Sequence, residues 1–433
     1  MGLRSFVLDA LWEGALARVN RERPVVVAIT GTIGKTSVKE LVAEVLKLTG
    51  KPVFKTPGNL NTNSGVPLAL LGYIEPPSSA LGWLGAALKA LTPPKTKGFK
   101  AGVRPYFVLE YSSDATGDIP YLVGKIAPDI SIVTAITPAH MQGYANFDEL
   151  RQEKLSIFAG LQPGGLALVN ADDPEQSVLP LSPHAAGYTS LRYGLRERND
   201  QSVWATNLAL TAQGLACTLH YKKDGKEQSL PLTTQLLSEP QLSGVLAAAL
   251  VALHQGVELA ALKECLESYV LPPGRGRLLQ GVRDITIIDE TYNASPASVV
   301  SALNSLKELG ASLKRRRVAV LGRMNELGDT AEQYHLEIAA AAATACDAVV
   351  FVGQYADLMR EKAVASGMKP ESITVFSDTK SVCDKAEQVT RKGDIVLVKG
   401  SQNGVRLEQF VKRIMLHPEL ASKLLVRQTA RWK

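Results

Sequence analysis

Residues 25–41 read VVVAITGTIGKTSVKEL, an apolar run that turns at two glycines and ends in Gly-Lys-Thr-Ser. These residue types suit a phosphate cradle. Gly31 and Gly34 permit a tight turn and close approach of a ligand, and the backbone N–H groups from Thr32 to Ser37 lie at the positive end of a helix. Lys35 is long enough to reach β- and γ-phosphates, and the Thr36 hydroxyl suits Mg²⁺. The usual spacing, G-x-x-x-x-G-K-[ST], would put glycine at 29, where Ile29 stands. That loss shortens the loop and leaves the other parts in order. An ordinary capped helix start is the competing reading, and the order strand, glycine turn, Lys, Thr disfavours it.

Two more residues are candidate metal ligands. Glu110 opens EYSSDATGDI (110–119) at the end of an apolar stretch, where a carboxylate can coordinate Mg²⁺. His140, in TAITPAHMQGY (134–144), follows the next such stretch. Taken alone, such residues are more often a surface carboxylate and a packed imidazole. Strand ends on the carboxyl side of a parallel sheet converge on a phosphate loop, which raises both.

The elements that must hold these groups alternate. The stretches 25–30, YFVLEY (106–111), ISIVTAI (130–136) and GGLALVN (164–170) read as buried parallel strands, with helical stretches such as 35–48 between them. Residues 202–232 change to alternating strands around KKDGK, and 242–256 is an Ala/Leu helix. LPPGRGR (271–277) interrupts both patterns. After it come ITIIDE, RVAVLG, AVVFVG, ITVFS and DIVLVKG, five short apolar strands with helices between them, as in an open doubly wound sheet. The expected division is 1–271 and 272–433.

Length and composition fit this reading. A chain of 433 residues exceeds one ordinary core, and 45% hydrophobic with 21% charged residues is globular. The net charge of +6 suits anionic substrates and is too mild to point to nucleic acid. The basic run Lys314–Arg317 reads as a solvated strand entrance. Four dispersed cysteines, with no C-x-x-C pair, read as reduced small hydrophobes, so a cytoplasmic location is expected. No apolar run is long enough to span a membrane. The first 24 residues read as an amphipathic helix.

The order T-G-T-x-G-K-T, E with G-D-I, I-x-P-A-H and RQEKLSIF resembles the Mur ligase family of ATP-dependent amide-forming enzymes, and within it the MurF type. TPGNLNTNSGVPLALL (56–71), LVNADDP (168–174), IDETYNASPASVVSAL (288–303), VAVLGRMNELGD (318–329) and GDIVLVKGSQNGVRLE (393–408) are similar to further stretches of that type. The resemblance implies an α/β fold: a P-loop-type central domain with a mostly parallel sheet, then a Rossmann-like C-terminal domain. It implies ATP and Mg²⁺ as cofactors, with a substrate carboxylate phosphorylated and then attacked by an amine. Lys35 and Thr36 would hold the triphosphate and Mg²⁺, and Glu110 and His140 would bind metal. Lys154 in RQEKLSIF matches a lysine that is carbamylated in the family and helps hold a second Mg²⁺; outside that context it reads as a surface helix lysine. Asn59 and Asn61 match loop residues near metal and substrate. Arg277, Asp289, Glu290, Tyr292 and Asn293 match groups near the phosphates, ribose and adenine. Lys399, Gly400 and Ser401 stand where the acceptor amine is expected. Such a split site implies closure of the second domain over the first.

The sequence also departs from the MurF pattern. The phosphate loop begins near residue 30, so the UDP-sugar-binding domain that MurF enzymes carry ahead of it is expected to be absent. Ser112 replaces a glycine, SEPQLSG carries Pro240 and Gly244 in place of His and Asn, Arg323 replaces an aspartate, and KGSQNG has one residue more. Residues 73–105 lengthen a connection, and LGWLGAALKAL within it has an apolar helical face followed by basic residues. A helix packed on its own domain is the simpler expectation for it; peripheral contact with a membrane or a lipid-linked substrate is the other.

The expected function is an ATP-dependent carboxylate–amine ligase adding an amino acid or dipeptide to a cell-wall peptide precursor, working as a monomer or weak oligomer. A folylpolyglutamate-synthetase-like ligase and a non-catalytic ATP-binding relative stay as alternatives.

Overall fold

The run Val25–Thr30 forms strand β1, with five of its six residues buried. β-branched residues without alternating polarity suit a strand covered on both faces. The computed structural model describes residues 3–138, 141–177, 187–196, 200–211, 213–223, 225–325, 327–402, 405–428 and 432. The chain divides into two compact units: 1–206, 218–232 and 242–266, then 207–217, 233–241 and 267–433.

The first unit opens with helix α1 (Leu3–Glu22), then β1 and α2 (Lys35–Lys47). β2 (Val53–Lys55), α3 (Gly65–Leu70), α4 (Ala80–Lys89), β3 (Tyr106–Glu110) and α5 (Asp118–Lys125) follow. β4 (Ile130–Val133), α6 (Phe147–Ala159), β5 (Leu166–Asn170), α7 (Pro174–Ser177) and β6 (Thr189–Gly194) come next. Its sheet order is β2-β3-β1-β4-β5-β6, parallel throughout, continued by β7 (Val203–Thr211), β8 (Gly214–Lys223) and β9 (Lys226–Thr233). β1 lies between β3 and β4, and the chain leaves it toward both sides. That is a topological switch point, where open α/β sheets bind ligands at the carboxyl ends of their strands.

The second unit holds a sheet in the order β10-β11-β15-β12-β13-β14. β11 (Thr286–Glu290), β12 (Arg317–Gly322), β13 (Ala348–Val352), β14 (Ile373–Phe376) and β15 (Ile395–Lys399) are the five apolar runs read from sequence. They pair in parallel, with β15 between β11 and β12. Their residues alternate between two cores. Ile288, Leu397, Ala319, Leu321 and Phe351 face one; Ile287, Val396, Val398, Val318 and Val350 face the other. β10 (Arg277–Gln280), an antiparallel edge strand, was not anticipated, because the prolines and glycines before it mask a four-residue strand. The basic run carries little free charge: Arg315 pairs with Asp284 at 2.9 Å, Arg316 with Asp394 at 3.0 Å and Arg317 with Asp347 at 2.6 Å.

α1 and α4 touch closely. A Cβ on Gly14 would stand 2.4 Å from Ala90 O and 2.7 Å from Ala90 Cβ. Gly14→Val is therefore expected to force the two helices apart and cost about 1–3 kcal/mol, read as a lower urea midpoint with an unchanged m-value; an unaltered midpoint would show that the helices separate freely.

Candidate active site

The glycines of the loop after β1 are needed for different reasons. Gly31 has φ 139°, and a Cβ there would stand 2.1 Å from Thr134 Oγ1. Gly34 caps α2 in the left-handed region at φ 85°, which aims the first turn's N–H groups into the loop. Lys35 Nζ lies over the loop and donates to Gly31 O at 2.8 Å. Three successive loops hold this shape. Thr32 N donates to Ala135 O at 2.8 Å, Thr137 N donates to Thr32 Oγ1 at 2.9 Å, and Thr134 Oγ1 donates to Ile33 O at 2.5 Å. That second loop is held in turn from the end of β5. Asn170 Nδ2 donates to Thr134 O at 3.2 Å and Asp173 Oδ2 accepts Ile136 N at 2.9 Å. The sequence singled out LVNADDP by resemblance alone; its physical task here is to hold the loop that holds the phosphate loop.

Glu110, at the carboxyl end of β3, is 2% exposed. Its Oε1 accepts Asn61 Nδ2 at 2.8 Å and Thr36 Oγ1 at 3.2 Å. Its Oε2 lies 3.3 Å from Lys39 Nζ, a fully buried amine that also donates to Gly58 O at 3.2 Å. One carboxylate thus ties together α2, β3 and the loop 57–63. Lys39 escaped the sequence reading, although a lysine on the face shared by Ala43 and Leu46 was a usable signal. Asn59, by contrast, is exposed.

Lys154 and Glu153 are both buried on α6, at 2% and 3% exposure. Lys154 Nζ donates to Ser113 Oγ at 2.5 Å and Ser113 O at 3.3 Å, and Ser113 Oγ lies 2.8 Å from Tyr144 Oη. It reaches the segment just past Glu110 rather than Glu110 itself. The nearby acids are engaged elsewhere. Glu153 accepts Gly117 N and Ile119 N at 2.8 and 2.6 Å, and Asp118 accepts Asp114 N, Ala115 N and Asn63 Nδ2. Burial first, and then the charge of Lys35, bring the Lys154 amine down to about 7. His140 lies outside the described residues.

Mg²⁺ usually takes one or two carboxylates together with phosphate oxygens and water. Among the described residues no group of three or more His, Cys, Asp or Glu could hold a metal ion. Glu110 with the Thr36 hydroxyl fits Mg²⁺ that arrives with phosphates, and does not make a cage of protein ligands.

In the second unit Asp289 is turned inward. It is fully buried, Oδ2 accepts Gly274 N at 3.1 Å, and Oδ1 accepts Thr291 Oγ1 at 2.6 Å and Thr291 N at 3.2 Å. Desolvation pushes this carboxyl up to about 6. Arg277 is its cross-strand neighbour. Glu290 Oε2 pairs with Lys399 Nζ at 2.9 Å, and Lys399 also donates to Asn293 O at 3.1 Å. The Arg275 guanidinium lies 3.7 Å from the Tyr292 ring centroid. Asn293 is exposed. Ser401 Oγ donates to Ala294 O at 3.1 Å and accepts Asn325 N at 3.1 Å, and Ser401 N donates to Arg323 O at 3.0 Å. Arg323 Nε donates to Asn325 Oδ1 at 2.9 Å.

Residues 29–75 and 92–252 match the Mur ligase middle domain, and residues 274–402 match the Mur ligase glutamate ligase domain. The chain is 29% identical over 402 residues to the UDP-N-acetylmuramoyl-tripeptide--D-alanyl-D-alanine ligase of Escherichia coli (strain K12), covering 90% of this chain and 76% of that one. MurF from Acinetobacter baumannii superposes with a TM-score of 0.72 at 23% identity, over 94% of this chain and 79% of that one. The MurF ligase from Thermotoga maritima in complex with ADP gives 0.71 at 23% identity, over 96% and 84%. The Mycobacterium tuberculosis folylpolyglutamate synthase is more distant, at 0.63 and 17% over 92% of both chains. At such identities the solved structures show a shared fold.

Two outcomes follow from the buried charges. Lys39→Met takes the ammonium away from the buried Glu110 carboxylate and is expected to cost about 3 kcal/mol, while adding Glu110→Gln recovers most of it; additive losses in urea unfolding would contradict the pairing. For Lys154 the folded pKa lies below the unfolded one, so the unfolded chain binds more protons between about pH 7 and 10 and stability rises with pH there. Lys154→Met should remove that rise, and parallel pH–stability curves for the two proteins would contradict it.

Proposed function

The chain belongs to the Mur ligase family of ATP-dependent ligases, and from that premise we propose that it joins a carboxylate to an amine in a peptidoglycan precursor, with a dipeptide as the MurF-like acceptor. We take residues 1–271 as the part that handles the triphosphate and residues 272–433 as the part that contributes base, ribose and acceptor contacts. With four free cysteines, the reducing cytoplasm is the compartment we assign.

The observation that carries this reading is the buried Lys154 amine beside Ser113, within the field of the phosphate-loop lysine. A plain ATPase has no use for such a group. With a pKa of about 7 a large share of the amine is neutral at physiological pH. A neutral amine can attack the carbon of CO₂, forming an N–C bond and releasing one proton to leave an anionic carbamate. The buried cation thereby becomes an anion beside Lys35, which removes the like-charge repulsion that adds to burial in lowering its pKa.

The proposed reaction has two steps. A substrate carboxylate oxygen bonds to the γ-phosphorus as ADP leaves. The amine nitrogen then bonds to the acyl carbon as inorganic phosphate leaves and the nitrogen loses a proton. Mg²⁺ supplies charge neutralisation when phosphates and carboxylate meet. Glu110 and Thr36 are the described residues that would hold it, with the Lys154 carbamate and His140 as further proposed ligands. The loop N–H groups and Lys35 meet the phosphate charge, and Asn61 orients Glu110. From the second unit we assign Arg277, Glu290, Tyr292 and Asn293 to nucleotide contact, with Asp289 shaping the turn that carries them.

Phosphate release should require both a carboxylate and an amine substrate. Lys154→Ala should lower it on the order of a hundredfold, with partial return on adding acetate. Steady phosphate release from ATP alone, or full activity in Lys154→Ala, would overturn the proposal.

A further inference from the structure

The stretch that the sequence left between two readings has two faces. On α4, Ala86 is fully buried, and with Ala90 and the half-buried Trp83 and Ala87 it joins a small cluster containing Val7, Leu11, Leu60 and Leu68. That face packs on α1 and its own domain. The opposite face exposes Leu81 at 80%, Leu84 at 38% and Leu88 at 69%, and Leu91 beyond the helix end is 80% exposed. These residues fall at i, i+3, i+7 and i+10, one side of a helix. An Ala/Leu helix covered on one face only leaves an apolar strip that water does not favour. The match to the Mur ligase middle domain stops at residue 75 and resumes at 92, so this helix stands outside what that domain supplies.

The surroundings of the strip are basic. Residues 73–104 carry Lys89, Lys95, Lys97, Lys100 and Arg104 against a single acid, Glu75, and the four lysines are exposed. This basic segment is held in place. Thr96, 5% exposed, receives Arg18 Nη2 at 2.9 Å and donates its N–H to Glu22 Oε1 at 3.1 Å, while Arg21 Nη2 donates to Pro94 O at 2.7 Å. Thr96 is anchored inward, and Lys95 and Lys97 on either side of it are left at the surface. α1 thus carries both the leucine helix and the lysine segment. The apolar strip amounts to a few hundred Å², below the roughly 800 Å² per partner of a standard stable protein interface. Lys89 Nζ also lies 4.4 Å from the Tyr73 ring centroid and Arg104 pairs with Asp129 at 3.3 Å, which leaves Lys95, Lys97 and Lys100 as the exposed charges nearest the strip. A surface that combines shallow leucines with exposed lysines and a single acid in its own segment is complementary to an apolar layer under a negatively charged one.

We propose that α4 and residues 91–104 form a docking surface for an anionic lipid bilayer, with Leu81, Leu84, Leu88 and Leu91 entering the acyl boundary and the lysines meeting the headgroups. Among the described residues no helix is long and apolar enough to cross a membrane, so the attachment is peripheral. It is independent of whether the ligase reading holds. Neither residue group belongs to the phosphate site.

The test is co-sedimentation of the full chain with vesicles of phosphatidylcholine alone and with 30% phosphatidylglycerol, a share on the order of that in anionic membranes. Binding is expected to the anionic vesicles only and to weaken as salt rises from 0.05 to 0.5 M, by roughly the loss of screened surface charge. Leu81→Ser/Leu88→Ser/Leu91→Ser and, separately, Lys95→Glu/Lys97→Glu/Lys100→Glu should each lower it at least about tenfold, with unchanged melting temperature and ADP affinity. Absence of binding, binding indifferent to the leucine variant, or leucine-dependent self-association in sedimentation velocity would overturn the proposal; the last would assign the strip to a second copy.

Discussion

Two buried lysines in the first unit are treated in opposite ways, and the site depends on that difference. Lys39 is set against the Glu110 carboxylate, so its charge is compensated where it lies. Lys154 is met by the hydroxyl and carbonyl of Ser113, while the acids around it are committed to capping α5 and its preceding turn. A compensated buried cation is a structural brace. One offered neutral partners gives up its proton instead. The same stretch of chain, 110–118, supplies both environments, which is why it matters more than its length suggests.

The phosphate loop is shaped from outside itself. Its curvature is fixed by Thr134, Ala135 and Thr137, and those are fixed by Asn170 and Asp173. Each support sits one strand farther from β1, so the switch point of the sheet is also the end of a relay of loop-to-loop hydrogen bonds. A brace two strands away therefore sets the shape of the glycine turn without touching it.

Much of this was legible in the chain. β1, α2 and the apolar strands of the second unit follow from uninterrupted β-branched runs, whose burial on both faces leaves no polar alternation to mislead. β10 was hidden because its four residues follow a proline–glycine break and are only partly buried. The roles of Lys39, Ser113 and Tyr144 were hidden for another reason: whether a lysine is paired or stripped of its charge depends on segments distant in sequence. Asp289 shows the same limit. Its place among the nucleotide-side groups came from resemblance, and the sequence carried no sign that its oxygens accept hydrogen bonds from Gly274 and Thr291. The face of LGWLGAALKAL that packs inward was also unreadable from periodicity alone, since both faces are apolar.

In the proposed ligase, burial makes Lys154 a neutral amine able to take up CO₂ beside the phosphate-loop lysine. Carbon-13 NMR of the protein in labelled bicarbonate measures this directly. A single carbamate resonance that strengthens from pH 6 to pH 8, across the value of about 7, and is missing in Lys154→Arg is the predicted result. No carbamate signal, or one that survives that substitution, would contradict it.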